Sequence, residues 1–182
     1  MDRPDLSYVV KEFQASVAVK QRILEDPRFI QQVMDMGHLL IDCYEAGHKL
    51  MVAGNGGSAA DAQHIAAEFV SRFNFDRPGL PALALTTDTS VLTAVGNDYG
   101  YDQLFRRQIE ANGIGGDVFL GISTSGNSPN ILQALEAARL KGIMTFGLTG
   151  KTGGKMRELC DHCLCVPSED TPRIQEAHIL IG

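Results

Sequence analysis

The sequence predicts an α/β protein: one domain with a five-stranded parallel sheet, helices on both faces, and a helical hairpin ahead of the first strand. Two observations predict this. Short, nearly continuous apolar runs of strand length recur down the chain, as in KLMVAG, LPALALT and DVFLGI, and runs of that kind suit strands covered on both sides. Segments with helical spacing separate them, and strict alternation of strand and helix builds a parallel sheet.

Taken in order, residues 7–25 show helical spacing, with Val9, Val10, Phe13, Val17 and Ile23 near one side. Asp26-Pro27 breaks that pattern, and a second helix covers 28–46 before Gly47. Two helices before the first strand are more than a doubly wound sheet requires, and such a hairpin suits packing against another subunit. The strands are expected at 49–54, 80–86, 117–122, 143–148 and 163–166. Helices are expected at 58–72, within 87–97, and at 101–111, 129–140 and 154–160, with Asn97-Asp98-Tyr99-Gly100 as a polar turn. Thr171 as N-cap and Pro172 at the first helical position open a last helix. No linker or low-complexity tract divides the chain. The domain therefore runs 1–182, with the hairpin at 1–48 and the α/β core at 49–182.

Composition narrows the function classes. The chain has 182 residues, 44% hydrophobic and 21% charged, with a net charge of −6. That balance suits a globular enzyme and argues against a general nucleic-acid binder, which would show a basic face. No apolar run approaches the roughly 18 residues of a membrane span. The N-terminus lacks a basic stretch followed by an apolar one, so no secretory signal and a cytoplasmic location are expected. Cys160-Asp-His-Cys163 has C-x-x-C spacing, but Cys43 offers no second pair for a zinc ribbon. Reduced thiols near a strand are expected.

Two loops carry chemistry. Gly54-Asn55-Gly56-Gly57-Ser58 lies between the first strand and its helix. Glycines bring backbone N–H groups close to a ligand, and a helix N-terminus favours an anion. No Lys-Ser or Lys-Thr follows, so this is not a nucleoside-triphosphate loop. Gly54, Gly56 and Ala59 do fill a dinucleotide fingerprint. The ribose-binding acid expected about 20 residues on is missing, since Asp88 comes later. A tight turn without ligand is the third reading. The second loop, Ser123-Thr124-Ser125-Gly126-Asn127-Ser128, offers hydroxyls and amides that suit a phosphate monoester; its bland reading is capping by Ser128. Both loops fall at carboxyl ends of strands, where ligands bind in parallel sheets.

His64 and Glu68 stand four residues apart on the helix after the first loop and share a face. They suit a metal, an acid/base pair or a surface pair. Their apolar neighbours Ile65, Ala66, Ala67 and Phe69 predict partial burial, and a lone buried carboxylate is costly. Gln175 and His178 offer a second polar face on the last helix, and Asn97-Asp98 is placed near the same mouth.

Together GNGGSAADAQHIAAEF, ALTTDTS, GNDYGYDQLF, GISTSGNSPNI and DTPRIQEAH resemble the sugar isomerase (SIS) domain of bacterial phosphoheptose isomerases. The resemblance spans nearly the whole chain, the two leading helices included. It implies a three-layer, flavodoxin-like SIS fold, a homotetramer with active sites shared between subunits, and a small sugar phosphate as substrate. It also implies interconversion of sedoheptulose 7-phosphate and D-glycero-D-manno-heptose 7-phosphate, toward lipopolysaccharide or capsule. Matching substrate positions are Asn55, Gly56, Gly57, Glu68, Asn97, Asp98, Ser123, Thr124, Ser125, Ser128 and Gln175. Glu68 matches the catalytic carboxylate, and His64, Glu68 and Gln175 match zinc ligands. The family pattern continues with a histidine eight positions after Gln175, as fourth ligand and acid/base. The chain ends at Gly182, one position short, so a longer natural protein is expected. The runner-up, which also resembles this chain, is a non-enzymatic SIS protein that binds a replication initiator as a tetramer. Sugar-phosphate-sensing SIS modules are a third class, usually joined to a DNA-binding domain.

Overall fold

The structure is a computed structural model that describes residues 3–182; residues 1 and 2, the start of the hairpin unit drawn from the sequence, lie outside the described residues. Two helices open the chain, α1 at Leu6–Leu24 and α2 at Pro27–Glu45. Each start has a local cause. The Asp5 carboxylate accepts from the Tyr8 N–H, and Asp26 accepts from the N–H groups of Arg28 and Phe29, with Pro27 in the first turn. A side-chain acceptor there satisfies donors that the helix itself leaves unpaired.

The sheet follows: β1 at Leu50–Gly54, β2 at Ala82–Ala84, β3 at Val118–Ile122, β4 at Met144–Thr149 and β5 at His162–Cys165. All pairs are parallel, in the order β2-β1-β3-β4-β5. The connecting helices are α3 at Gly57–Val70, α4 at Thr89–Tyr99, α5 at Leu104–Asn112, α6 at Pro129–Leu140, the single turn α7 at Met156–Leu159, and α8 at Thr171–Ile181. A 3-10 turn at Tyr101–Gln103 leads into α5.

Side-chain alternation along the strands makes two cores, one on each face. Leu50 and Val52 of β1, Leu120 of β3 and Leu148 of β4 pack with residues of α1, α2, α3 and α8. Met51 and Ala53 of β1 and Phe119 of β3 pack with α5, α6 and Met156 of α7. The layers are therefore helix, sheet, helix. At the amino edge of the sheet the buried Asp117 carboxylate binds Lys49 Nζ at 2.6 Å and the N–H groups of Lys49 and Ile114 at 3.1 and 2.9 Å. This fixes where β1 and β3 begin.

Several elements depart from the sequence-based expectation. The second strand is shorter, because it is an edge strand and Pro81 just before it has no N–H to donate. Asn97 and Asp98 do not sit in a turn; α4 continues through them to Tyr99. Asp88 is the N-cap of α4, its carboxylate accepting from Val91 N–H, so it is not placed as a ribose ligand. At α8 the N-cap is Asp170, and Thr171 is already helical. On α1 the apolar stripe is split: Val19 and Ile23 are buried, but Phe13 and Val17 are 71% and 63% exposed and face away from the core.

Candidate active site

The first loop turns on Gly56, whose φ of 57° and ψ of −120° are open to glycine and strained for other residues. Gly57 then starts α3 without a side-chain cap. Its Cα is covered by the carboxamide of Gln175: a Cβ on Gly57 would lie 2.7 Å from Gln175 Nε2. Further along, a Cβ on Gly182 would meet Ile65. The helices α3 and α8 thus run side by side in the same direction.

One stripe of α3 faces this seam, at positions 57, 61, 64 and 68, spaced by four, three and four residues. His64 Nε2 lies 3.6 Å from Glu68 Oε1, and their side chains are 60% and 38% exposed. This corrects the expected burial of His64. Ala62, Ile65 and Ala66 take the sheet-facing side of α3, which turns His64 outward. The pair opens onto a cavity of about 400 Å³ bordered by Phe73, Phe75, Arg77 and the end of α8. Gln175 sits at the other end of the stripe. Seven residues of helix, about 10 Å of rise, separate Gly57 from His64, and Glu68 stands about 16 Å from Gly57.

Two residues of this region were not singled out from the sequence. Asp61 fills the stripe between Gly57 and His64. Burial pushes its carboxyl up, the nearby His64 offsets part of that, and Oδ2 is buried without a partner. Its signal was the spacing from His64, hidden by the small residues around it. Arg77 clasps the last turn of α3: Nη2 donates to the Glu68 carbonyl at 2.9 Å, and Nη1 to the Phe69 and Pro78 carbonyls at 2.8 and 3.0 Å. Carbonyls at a helix end lack internal partners, and a cation completes them.

The second loop is a knot of hydroxyls. Ser123, 3% exposed, has its Oγ 2.8 Å from Ser128 Oγ and 3.4 Å from Ser125 Oγ. Ser125 Oγ accepts from Asn127 N–H at 3.1 Å. Ser128 holds the N-cap position of α6 but its side chain does not cap; it is turned to Ser123 instead. Thr124 and Ser125 line a polar cavity of about 270 Å³ that reaches Lys151, Ser168 and Thr171. Asn97 and Asp98 are exposed at the end of α4, hydrogen-bonded to each other at 2.8 Å. Neither lines the cavity around Glu68 nor the one beside Asn55. The four cysteines are free thiols.

The SIS domain family matches residues 13–150. A phosphoheptose isomerase of Aneurinibacillus thermoaerophilus is 62% identical over 175 residues, covering 96% of this chain and 88% of its own length. The chain belongs to the SIS-domain phosphoheptose isomerase family. The fold agrees with solved members of that family. The phosphoheptose isomerase from Neisseria gonorrhoeae superposes with a TM-score of 0.90 at 43% identity, over 96% of this chain and 92% of that one. The one from Francisella tularensis gives 0.93 at 37% identity, over 98% and 94%. In this family member the two small-residue loops lie at the carboxyl edge of the sheet, and the His64–Glu68 pair lies down the flank of α3.

Proposed function

We propose that the chain is an aldose–ketose isomerase that interconverts sedoheptulose 7-phosphate and D-glycero-D-manno-heptose 7-phosphate, supplying heptose for a cell-surface polysaccharide from the cytoplasm. The observation that carries this reading is the membership in the phosphoheptose isomerase family together with the clustered hydroxyls of Ser123, Ser125 and Ser128 at the carboxyl end of β3.

In this reading Ser123, Thr124, Ser125 and Ser128 hold the phosphate, and the amides of Asn55, Gly56 and Gly57 contact the sugar. Asn97, Asp98 and Gln175 contribute further polar contacts. Glu68 accepts the proton from the carbon next to the carbonyl and returns it to the neighbouring carbon, through an enediol, while a second acid/base moves the hydroxyl proton from one oxygen to the other. The Arg77 clasp keeps the end of α3, and Glu68 with it, in place. Imidazole nitrogen and carboxylate oxygen on one helix face are a donor pair that suits zinc, so His64 and Glu68 would hold such an ion; Gln175, packed on Gly57 at the other end of the stripe, stands away from them in this subunit. Bound there, the ion would supply Lewis-acid polarisation of the carbonyl.

Two features support a homotetramer with shared sites. The outward face of α1 carries Phe13 and Val17 and flanks an apolar groove of about 480 Å³, and contiguous exposed apolar faces mark interfaces. Glu68 is also far from the loops of its own chain. The heptose phosphate, fully extended, spans about 10 Å at ordinary bond lengths, against the roughly 16 Å of helix between Gly57 and Glu68. A neighbouring subunit would bring its own Glu68 to the loops of this one.

The test is turnover of sedoheptulose 7-phosphate by the full-length protein, with and without zinc. Activity in the wild type and its loss in Glu68→Gln with the fold intact are expected. Near-normal rates in that variant would rule out Glu68 as the base.

A further inference from the structure

We propose that Asn130 is a positioning residue for the isomerisation: its buried carboxamide locks the side chain of Asn55, so that residue 55 meets the substrate only as a hydrogen-bond donor and the two substrate loops keep one register. This rests on the function proposed above.

The geometry is a reciprocal amide pair. Asn55 Nδ2 donates to Asn130 Oδ1 at 2.9 Å, and Asn130 Nδ2 donates to Asn55 Oδ1 at 2.8 Å. Tyr101 OH donates to the same Asn55 oxygen at 3.1 Å. A carboxamide oxygen has two lone pairs, and both are used. The Asn55 side chain therefore cannot accept from a sugar hydroxyl without giving up a bond it already makes. Its backbone N–H, its second Nδ2 hydrogen, and the N–H groups of Gly56 and Gly57 are the donors the loop can present.

The pair also ties together pieces that the sheet alone does not. Strands β1 and β3 stay in register only as far as Gly54 opposite Ile122. Asn55 is the next residue after that ladder, and Asn130 is the second residue of α6, directly after the serine/threonine loop. The link between them crosses 75 residues of sequence and adds a cross-tie above the last backbone bond. Asn130 is 2% exposed, so it has no water to fall back on and its partners are fixed. Tyr101, from the turn before α5, brings in a third element at the wall of the cavity of about 350 Å³ that Asn55 and Gly56 also line.

The experiment is a double-mutant cycle on the full-length protein, with Asn130→Ala, Asn55→Ala, both together, and Tyr101→Phe, each checked for thermal midpoint. Asn130→Ala and Asn55→Ala should each raise KM for sedoheptulose 7-phosphate about tenfold, the scale of a lost buried hydrogen bond, with kcat changed less than about threefold. The double variant should be no worse than either single, because the two act as one unit. Tyr101→Phe should raise KM by about threefold, since the amide pair remains. Additive losses, or a lowered midpoint with KM unchanged, would overturn the proposal and leave the pair a purely structural contact. A wild type without turnover would end the isomerase reading instead. The same cycle would then be read as the dissociation constant for sedoheptulose 7-phosphate by calorimetry. Equal affinity across the variants, or no binding by the wild type, would overturn the positioning role too.

Discussion

His178 Nε2 lies 3.1 Å from the main-chain oxygen of Thr149, and its Nδ1 is buried without a partner. A carbonyl oxygen only accepts, so Nε2 carries the proton and the ring is neutral. The contact joins α8 to the end of β4 from inside the core, which makes His178 a structural residue one turn away from Gln175.

That arrangement sets a pH dependence. Burial pushes the His178 imidazole down to about 4 from an ordinary 6.5, so the unfolded chain takes up a proton that the folded chain refuses. Stability is therefore full above about pH 6.5 and falls as the pH drops toward 4, by about 3 kcal/mol at the limit. Denaturant unfolding at pH 7.5 and 5 should show the loss, and His178→Leu should show a smaller pH-dependent part.

Zinc should raise the thermal midpoint of the full-length protein, and His64→Ala should abolish most of that shift. An ion that binds only the folded state stabilises it by mass action, about 2.7 kcal/mol at a hundredfold excess over Kd. An equal shift in both proteins would place the ion elsewhere.

Arg77→Ala would leave the carbonyls of Glu68, Phe69 and Pro78 without their guanidinium donor. A cost of about 1–3 kcal/mol is expected, the usual scale for bonds to a charged donor. Hydrogen exchange should speed up over the last turn of α3 before it does elsewhere. Uniform exchange rates would show that the clasp is redundant.

Phe13→Asp and Val17→Asp place a charge on the outward face of α1. Both positions are more than half exposed in the single chain, so the subunit fold should tolerate them. Light scattering should show a wild-type tetramer and smaller species for the variants. An unchanged mass would mean that assembly, if any, uses another face.

Strand positions were readable because near-continuous apolar runs are a local property, and the His64–Glu68 pairing follows from helical spacing alone. The misreadings have a common cause. Spacing on α1 shows that the helix has an apolar side but not which neighbour covers it: Ile23 meets the core, and Phe13 and Val17 do not. The partial burial expected of His64 rests on apolar neighbours, and of these Ile65 and Ala66 turn to the sheet while His64 turns outward. The polar stretch at Asn97 resembled a turn, yet Asp88 had already capped a helix that runs through it.

By itself the sequence determined the alternation of strand and helix, the two small-residue loops at strand ends, and the facing of residues four apart, since each is decided within a few bonds along the chain. Tertiary structure alone decided that Gln175 would rest on Gly57, that Asn55 would be claimed by Asn130, and that His178 would be sealed from water. Those contacts join residues 29 to 118 positions apart, and only the packing of helices on a finished sheet sets which of them meet.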